Sequence, residues 1–279
     1  MSISTIINTE FARDFLKHFG YLPIENPTED QIQDAVKVFQ EDNGIIPNGD
    51  IGPKTAGRML VPRCGVTEDK MVQSASNLWH WDRKVGEYYQ VDYFIHPGLS
   101  EMLHMEQGLF DKIIKRCFET DWCKHSNLNL TRVSSEKEKY CINVYGNRLD
   151  GPSSILAQCE LPVDGVRSCK MELDISERWV YEVAPSTMGI VLANVVNHEL
   201  GHGLGLVHSR VKAALMAPSY SSSVQLPNMT DDIPRLQARY DGSRIKPIPT
   251  ETPNPNDGNI HIEEITVKIN GKVYGFDTE

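Results

Sequence analysis

From Thr28 the chain reads as the start of an amphipathic helix. Thr28 and Gln31 have the spacing of a capping box, and Ile32, Ala35, Val36 and Phe39 follow at i, i+3, i+4 and i+7 until Gly44 stops the run. Residues 10–18 place Phe11, Phe15 and Leu16 roughly on one face, and residues 54–60 give a third short helix after the Asn48-Gly49 turn. These helices form a unit ending near Val61, and with roughly 60 residues its core is marginal, so it is expected to lean on a neighbour. Residues 66–80 are polar and lack periodicity, as a linker would.

Beyond them the pattern becomes mixed. Residues 91–95 read as a strand, 99–120 as a helix, and 128–133 and 140–145 as strands joined by the charged turn 135–139. Thr187 can cap a long helix running through Ile190, Val191 and Val195 to His202, and a last helix is expected over 231–240. A Pro-rich stretch, 246–257, follows. The tail 260–279 alternates in the β manner (Ile260, Ile262; Ile265, Val267, Ile269) with Asn270-Gly271 as a hairpin turn before Val273. No repeat of fixed period is found, and this tail is too short for a propeller module. The fold class is α+β, divided as 1–65, 66–84, 85–245, 246–259 and 260–279.

Composition narrows the function. The 279 residues carry 28 Lys and Arg against 38 Asp and Glu, a formal charge of −10 with no dense basic cluster, so nucleic acid is not an expected partner. The longest mainly apolar stretch, 189–196, is far below the ~20 residues that cross a bilayer, and no transmembrane segment is expected. The first 20 residues carry Glu10, Arg13, Asp14 and Lys17 and hold no apolar block of a secretory leader. Six cysteines, at 64, 117, 123, 141, 159 and 169, are too sparse for a disulfide scaffold and leave the redox compartment open. Asn129-Leu130-Thr131 and Asn228-Met229-Thr230 have the form of glycosylation sequons, a short and common pattern.

The chemistry concentrates in His198-Glu199-Leu200-Gly201-His202-Gly203-Leu204-Gly205-Leu206-Val207-His208, the pattern H-E-x-x-H-x-x-G-x-x-H. On a helix His198 and His202 project from one face and can share one metal. Gly205 can adopt the left-handed conformation that ends the helix and brings His208 back as a third ligand. Three neutral nitrogens favour tetrahedral Zn²⁺ with one position open to water, and Glu199 stands where its carboxylate reaches that water. Met216, in Ala214-Leu215-Met216-Ala217-Pro218-Ser219-Tyr220, offers a polarizable floor beneath the imidazoles. His18, His80, His96, His104, His125 and His261 are isolated and read as structural or surface positions.

These residues, with Ser209 directly after the third histidine, resemble the matrix metalloproteinase (matrixin) branch of the metzincins. Pro62-Arg63-Cys64-Gly65-Val66 is similar to that family's cysteine switch. Phe39-Gln40, Gly49, Thr55 and Met59 resemble its helical propeptide, a peptidoglycan-binding-like fold. The resemblance spans about residues 10–242. It implies a twisted mixed sheet with a long active-site helix, preceded by a three-helix propeptide with the switch and an activation linker over 66–84, and no hemopexin domain. It also implies a zinc endopeptidase made as a latent zymogen, with Glu199 catalytic and His198, His202 and His208 as zinc ligands. Cys64 would take the fourth position in the latent form, since a thiolate is a strong zinc ligand. Pro218, Tyr220 and residues 221–227 would line the pocket for the side chain after the cut. Thr67-Glu68 stands where the family has Pro-Asp.

The middle of the chain departs from the family. Gln158 and Glu172 occupy positions where the resemblance implies zinc-binding histidines, and 145–149 lacks a His-x-Asp pair, so a second, structural zinc is not expected. Asp150, Asp174 and Glu177 match calcium-ligand positions, with solvated acids as the bland alternative. Cys159 and Cys169 flank a short connection, and a disulfide there is the expected substitute staple. The implied partners are a protein or peptide substrate laid along a strand edge and an activating protease, with the chain a monomer. The family is extracellular by resemblance. Rival readings are a glycan- or peptide-binding module attached to an inactive domain, and a zinc hydrolase of different specificity or acting inside the cell.

Overall fold

The computed structural model describes residues 9–67, 79–182, 189–221 and 229–244, and the backbone of 264–269 and 272–277. Its first helices are α1 (Thr9–His18), α2 (Glu29–Asp42) and α3 (Pro53–Met59). The capping box of α2 is formed: Gln31 N–H donates to Thr28 Oγ1 at 3.3 Å, and Thr28 N–H donates to Gln31 Oε1 at 2.9 Å. The apolar faces of the three helices close over Phe15, Leu16, Phe19, Ile32, Val36, Phe39 and Met59. Gln40 is buried in this core without penalty, because its amide donates to Asn48, Asp50 and Thr55 and accepts from Gly49 N–H. The module does lean on its neighbour: Ile155, from the sheet described next, is buried in the same cluster, and Leu149 packs against it.

A seven-stranded sheet forms the second part. Its strands are β1 (Arg63–Cys64), β2 (Lys84–Val85), β3 (Tyr88–Ile95), β4 (Leu128–Arg132), β5 (Cys141–Asn147), β6 (Ile155–Cys159) and β7 (Cys169–Asp174). The order is β1-β6-β7-β5-β3-β2, with β4 also on β3. Only β6 with β7 and β2 with β3 are antiparallel. β4 and β5 each pair with β3, so the 135–139 segment crosses β3 rather than closing a hairpin. It is pinned there by Asp92, which takes Lys137 at 2.6 Å and Arg83 at 3.0 Å.

The 99–120 stretch is broken. A short α4 (Leu99–Met102) ends at His104, whose φ is +55°, and α5 (Gln107–Arg116) starts afresh on the Glu106 carboxylate, which accepts from Gly108 and Leu109 N–H at 2.7 Å each. A π turn, Cys117–Asp121, continues α5. After a short parallel pair, β8 (Trp179–Val180) and β9 (Ile190–Val191), comes α6 (Leu192–Gly203), whose residues are all buried. A helix covered on every side belongs to the core. The helix expected from Thr187 through Ile190 and Val191 starts later: those two residues are β9, and Val191 is the N-cap with no side-chain cap, while Thr187 itself lies outside the described residues. The last helix is shorter than the pattern suggests, α7 (Asp232–Gln237).

The Cys159–Cys169 disulfide is not formed, and all six cysteines are free and buried. In the β6–β7 register Cys159 stands opposite Met171, which places Cys169 on the diagonal. Diagonal side chains are about 7–8 Å apart, too far for an S–S bridge. Asn129 lies in β4 with its amide oxygen accepting from Arg244 at 2.9 Å, while Asn228 lies outside the described residues. Among the described residues no helix is long and apolar enough to cross a membrane.

Residues 247–279 form a separate unit. In it β10 (Glu264–Ile269) and β11 (Lys272–Asp277) pair antiparallel, from Glu264 opposite Asp277 to Ile269 opposite Lys272. That register leaves a two-residue connection, the length a tight hairpin requires.

Candidate active site

Helix α6 presents His198 and His202 on one face and ends in a Schellman motif. Gly205 has φ +89°, Leu206 N–H donates to Gly201 O at 2.8 Å, and Gly205 N–H donates to His202 O at 2.7 Å. A Cβ at Gly205 would strike the Trp79 carbonyl, so the turn needs glycine on two counts. The turn returns His208 to the other two rings. The exposed helix-end carbonyls are satisfied from outside: Gly203 O by Trp81 Nε1 at 2.8 Å, Leu204 O by the Tyr240 hydroxyl at 3.0 Å, and Gly205 O by Arg239 Nε at 2.9 Å.

Two of the rings are oriented by backbone carbonyls. His198 Nδ1 lies 2.7 Å from Leu215 O, and His202 Nδ1 lies 2.8 Å from Leu206 O. Such contacts leave Nε2 to face a metal. Leu215 is fixed in turn, since the Asp232 carboxylate accepts its N–H at 3.0 Å and that of Met216 at 3.4 Å. Met216 is fully buried with its sulfur against Gly201, where any side chain on the helix would displace it.

Cys64 arrives from the other side on β1. The segment is held as an extended strand between two walls. Arg63 N–H donates to Ser154 O at 2.8 Å and Gly65 N–H to Ala157 O at 2.8 Å, on the β6 side. Cys64 N–H donates to Pro218 O at 3.0 Å, and Tyr220 N–H to Pro62 O at 2.8 Å, on the other. The Arg63 guanidinium stacks 3.9 Å over the Phe19 ring, tying the segment to the helical module. Cys64 Sγ then stands 3.4 Å from His202 Nε2. Cys64, His198, His202 and His208 each bring a ligand atom within 4.8 Å of all the others, the one such group among the described residues.

Burial sets the charge of the group. It pushes the Glu199 carboxyl up to about 8, drives His202 and His208 well below the usual imidazole range with the neighbouring histidines adding, and lifts the Cys64 thiol with the Glu199 carboxylate adding. Neutral imidazoles have their lone pairs ready for a metal. Glu199 Oε2 is buried with no hydrogen-bond partner among the described residues, an expensive condition for a carboxylate. One soft-to-borderline divalent cation fits this donor set: its charge opposes the upward shifts of Glu199 and Cys64 and keeps the imidazoles unprotonated, with their lone pairs free to bind.

A cavity of about 300 Å³ opens beside Glu199 and His198, with Pro218 and Tyr220 in its wall. The Tyr220 hydroxyl accepts from Val191 N–H at 2.9 Å, which anchors that wall to the start of α6. Residues 222–227 lie outside the described part.

Asp150, Asp174 and Glu177 gather elsewhere, at the loop after β5 and the end of β7. Asp174 is fully buried, and burial with the two neighbouring aspartates pushes Glu177 up. Their oxygens accept backbone N–H groups of Ile155, Asp150, Ser176 and Ser153. Gln158 and Glu172 meet as a cross-strand pair. Glu172 accepts from Gln158 at 2.9 Å, from Asn147 at 3.0 Å and from Lys170 at 2.6 Å. No local pattern points to this network, to Asp232 under the Met216 turn, or to the Arg63–Phe19 stack, since each joins residues apart in the chain.

Comparison with known proteins agrees with the geometry. The matrixin family model matches residues 80–241. The chain belongs to the matrixin family. The peptidoglycan binding domain family matches residues 8–59, the three-helix module of this matrixin. Neutrophil collagenase of Homo sapiens is 30% identical over 96% of the chain and 58% of that protein. Matrix metalloproteinase-19 of Mus musculus is 28% identical over 96% of the chain and 53% of its own length. Matrix metalloproteinase-2 of Drosophila melanogaster is 28% identical over 82% and 33%. The chain spans about half the length of the two mammalian relatives and a third of the insect one.

Proposed function

We propose that this matrixin is a latent zinc endopeptidase whose N-terminal module blocks its own cleft. The observation that carries the reading is the convergence of Cys64 with His198, His202 and His208 beside a buried Glu199. His198, His202 and His208 would hold a zinc ion, which would supply Lewis acidity toward a scissile carbonyl and an attacking water. Glu199, with one oxygen unpartnered among the described residues, would accept the proton of the attacking water and return it to the leaving amine. The strand edge of β6 and the Pro218–Tyr220 wall, now occupied by residues 62–65, offer backbone groups on both sides of an extended peptide. The side chain following the cut enters the cavity beside Glu199.

Latency follows from the same contacts, because Cys64 occupies the place that water and substrate need. Cleavage within 66–84 by another protease would let the segment leave. Calcium at Asp150, Asp174 and Glu177 is the second metal in this reading, supported by three acids drawn together with one fully buried. The Asn147–Gln158–Glu172–Lys170 network supports a sheet joined there without zinc. By family resemblance the protein acts on polypeptides outside the cell. The test is Cys64→Ser in the full chain. It should cleave a generic peptide without processing and retain one zinc, whereas continued inactivity with zinc bound would overturn the proposed block.

A further inference from the structure

The cavity beside Glu199 has apolar walls from Leu156, Val195, Leu215 and Pro218 and a single lysine, Lys212, on its lining. Lys212 belongs to the exposed segment between His208 and the buried Met216 turn. Its Nζ crosses to the helical module and donates to the carbonyl oxygen of Asn43 at 2.5 Å, at the C-cap of α2. That helix end is built for a cation. Its last turn holds Glu41 and Asp42 and no basic residue, the wrong sign for the negative end of a helix dipole. Gly44, with φ +60°, has no side chain where a Cβ would collide with the Lys212 ammonium. Arg210 adds a second cation, its Nε 4.0 Å from Asp42 Oδ1.

We propose that Lys212 is a specificity-determining residue held in reserve: α2 binds its ammonium in the intact chain, and after the module departs it receives the carboxylate of an acidic substrate side chain entering the cavity. This rests on the endopeptidase reading. The chemistry is conservative, since the ammonium exchanges a carbonyl at a negative helix end for a carboxylate, the stronger acceptor. Lysine's flexible stem allows both positions. One side chain thereby contributes to holding the module and to choosing the substrate.

Two measurements, one on activated enzyme and one on the uncleaved chain, test this. The first uses enzyme activated by limited proteolysis and two end-blocked peptides identical except for Glu or Gln after the cut. The wild type should favour Glu over Gln in kcat/KM by about fivefold, the scale of a half-exposed ion pair. Lys212→Ala should bring the ratio to about one while still cleaving the Gln peptide, and Lys212→Arg should restore it. A Glu/Gln ratio at or below one in the wild type, or an unchanged ratio in Lys212→Ala, overturns the assignment. Failure of the activated wild type to cut either peptide instead removes the endopeptidase reading and this assignment with it. The second needs no turnover: in the uncleaved chain, Lys212→Ala should raise the rate at which Cys64 reacts with a thiol reagent, again about fivefold, with Lys212→Arg unchanged. An unchanged rate in Lys212→Ala contradicts the clamp.

Discussion

Glu172 and Glu199 are both buried, yet their surroundings leave them in opposite states. Burial works to raise both carboxyls. At Glu172 three donors, Lys170, Gln158 and Asn147, outweigh it and hold the group below the usual glutamate range. At Glu199 burial wins, lifting the carboxyl to about 8 and leaving one oxygen without a partner among the described residues. The difference separates structure from chemistry. A buried carboxylate completed by its neighbours is a staple, whereas one left incomplete beside three imidazoles and a thiol is a site waiting for a cation and a substrate.

The sharpest way to break the comparison is to neutralise each carboxylate. Glu199→Gln should reduce peptide cleavage by activated enzyme at least about 100-fold while zinc content and thermal midpoint stay at or above wild type. Normal turnover would place the proton transfer elsewhere. Glu172→Ala should behave in reverse, lowering stability by about 1 kcal/mol in urea unfolding with the catalytic zinc retained, because it removes the buried acceptor that Gln158, Asn147 and Lys170 share. A wild-type midpoint would deny the network its role.

A smaller effect is the dependence of stability on pH. The folded pKa of Glu172 lies below the unfolded value of about 4.3, so its contribution is present above that pH and lost as acid protonates the folded form. Asp232 runs the other way. Burial raises it to about 6, so the folded state binds the extra proton and loses stability as pH rises between about 4 and 6. Urea midpoints measured across pH 4 to 6.5 should fall with rising pH in the wild type, and Asp232→Asn should reduce that slope, the remainder coming from the raised Glu199 and Glu177. An unaltered slope would mean another group carries it.

How much of this was legible in the chain depended on distance along it. The H-E-x-x-H-x-x-G-x-x-H run, the Gly205 turn and the Thr28 capping box are local, so spacing alone determined their geometry. The break at His104 escaped because apolar periodicity continues across it while the Glu106 cap restarts the helix. The disulfide failed on register, which offsets Cys159 from Cys169 by a diagonal that sequence separation does not reveal. Lys212 and Asn43 are 169 positions apart and carry no motif, and only the folded chain joins them.

Zinc K-edge absorption spectroscopy on the intact chain, with metal analysis of the same sample, reads the coordination of the Cys64–His198–His202–His208 group. One zinc per chain is expected, with three nitrogen neighbours near 2.0 Å and one sulfur near 2.3 Å, the sulfur disappearing in Cys64→Ser. A chain that purifies with no transition metal, or whose zinc shows no sulfur neighbour, would contradict the account.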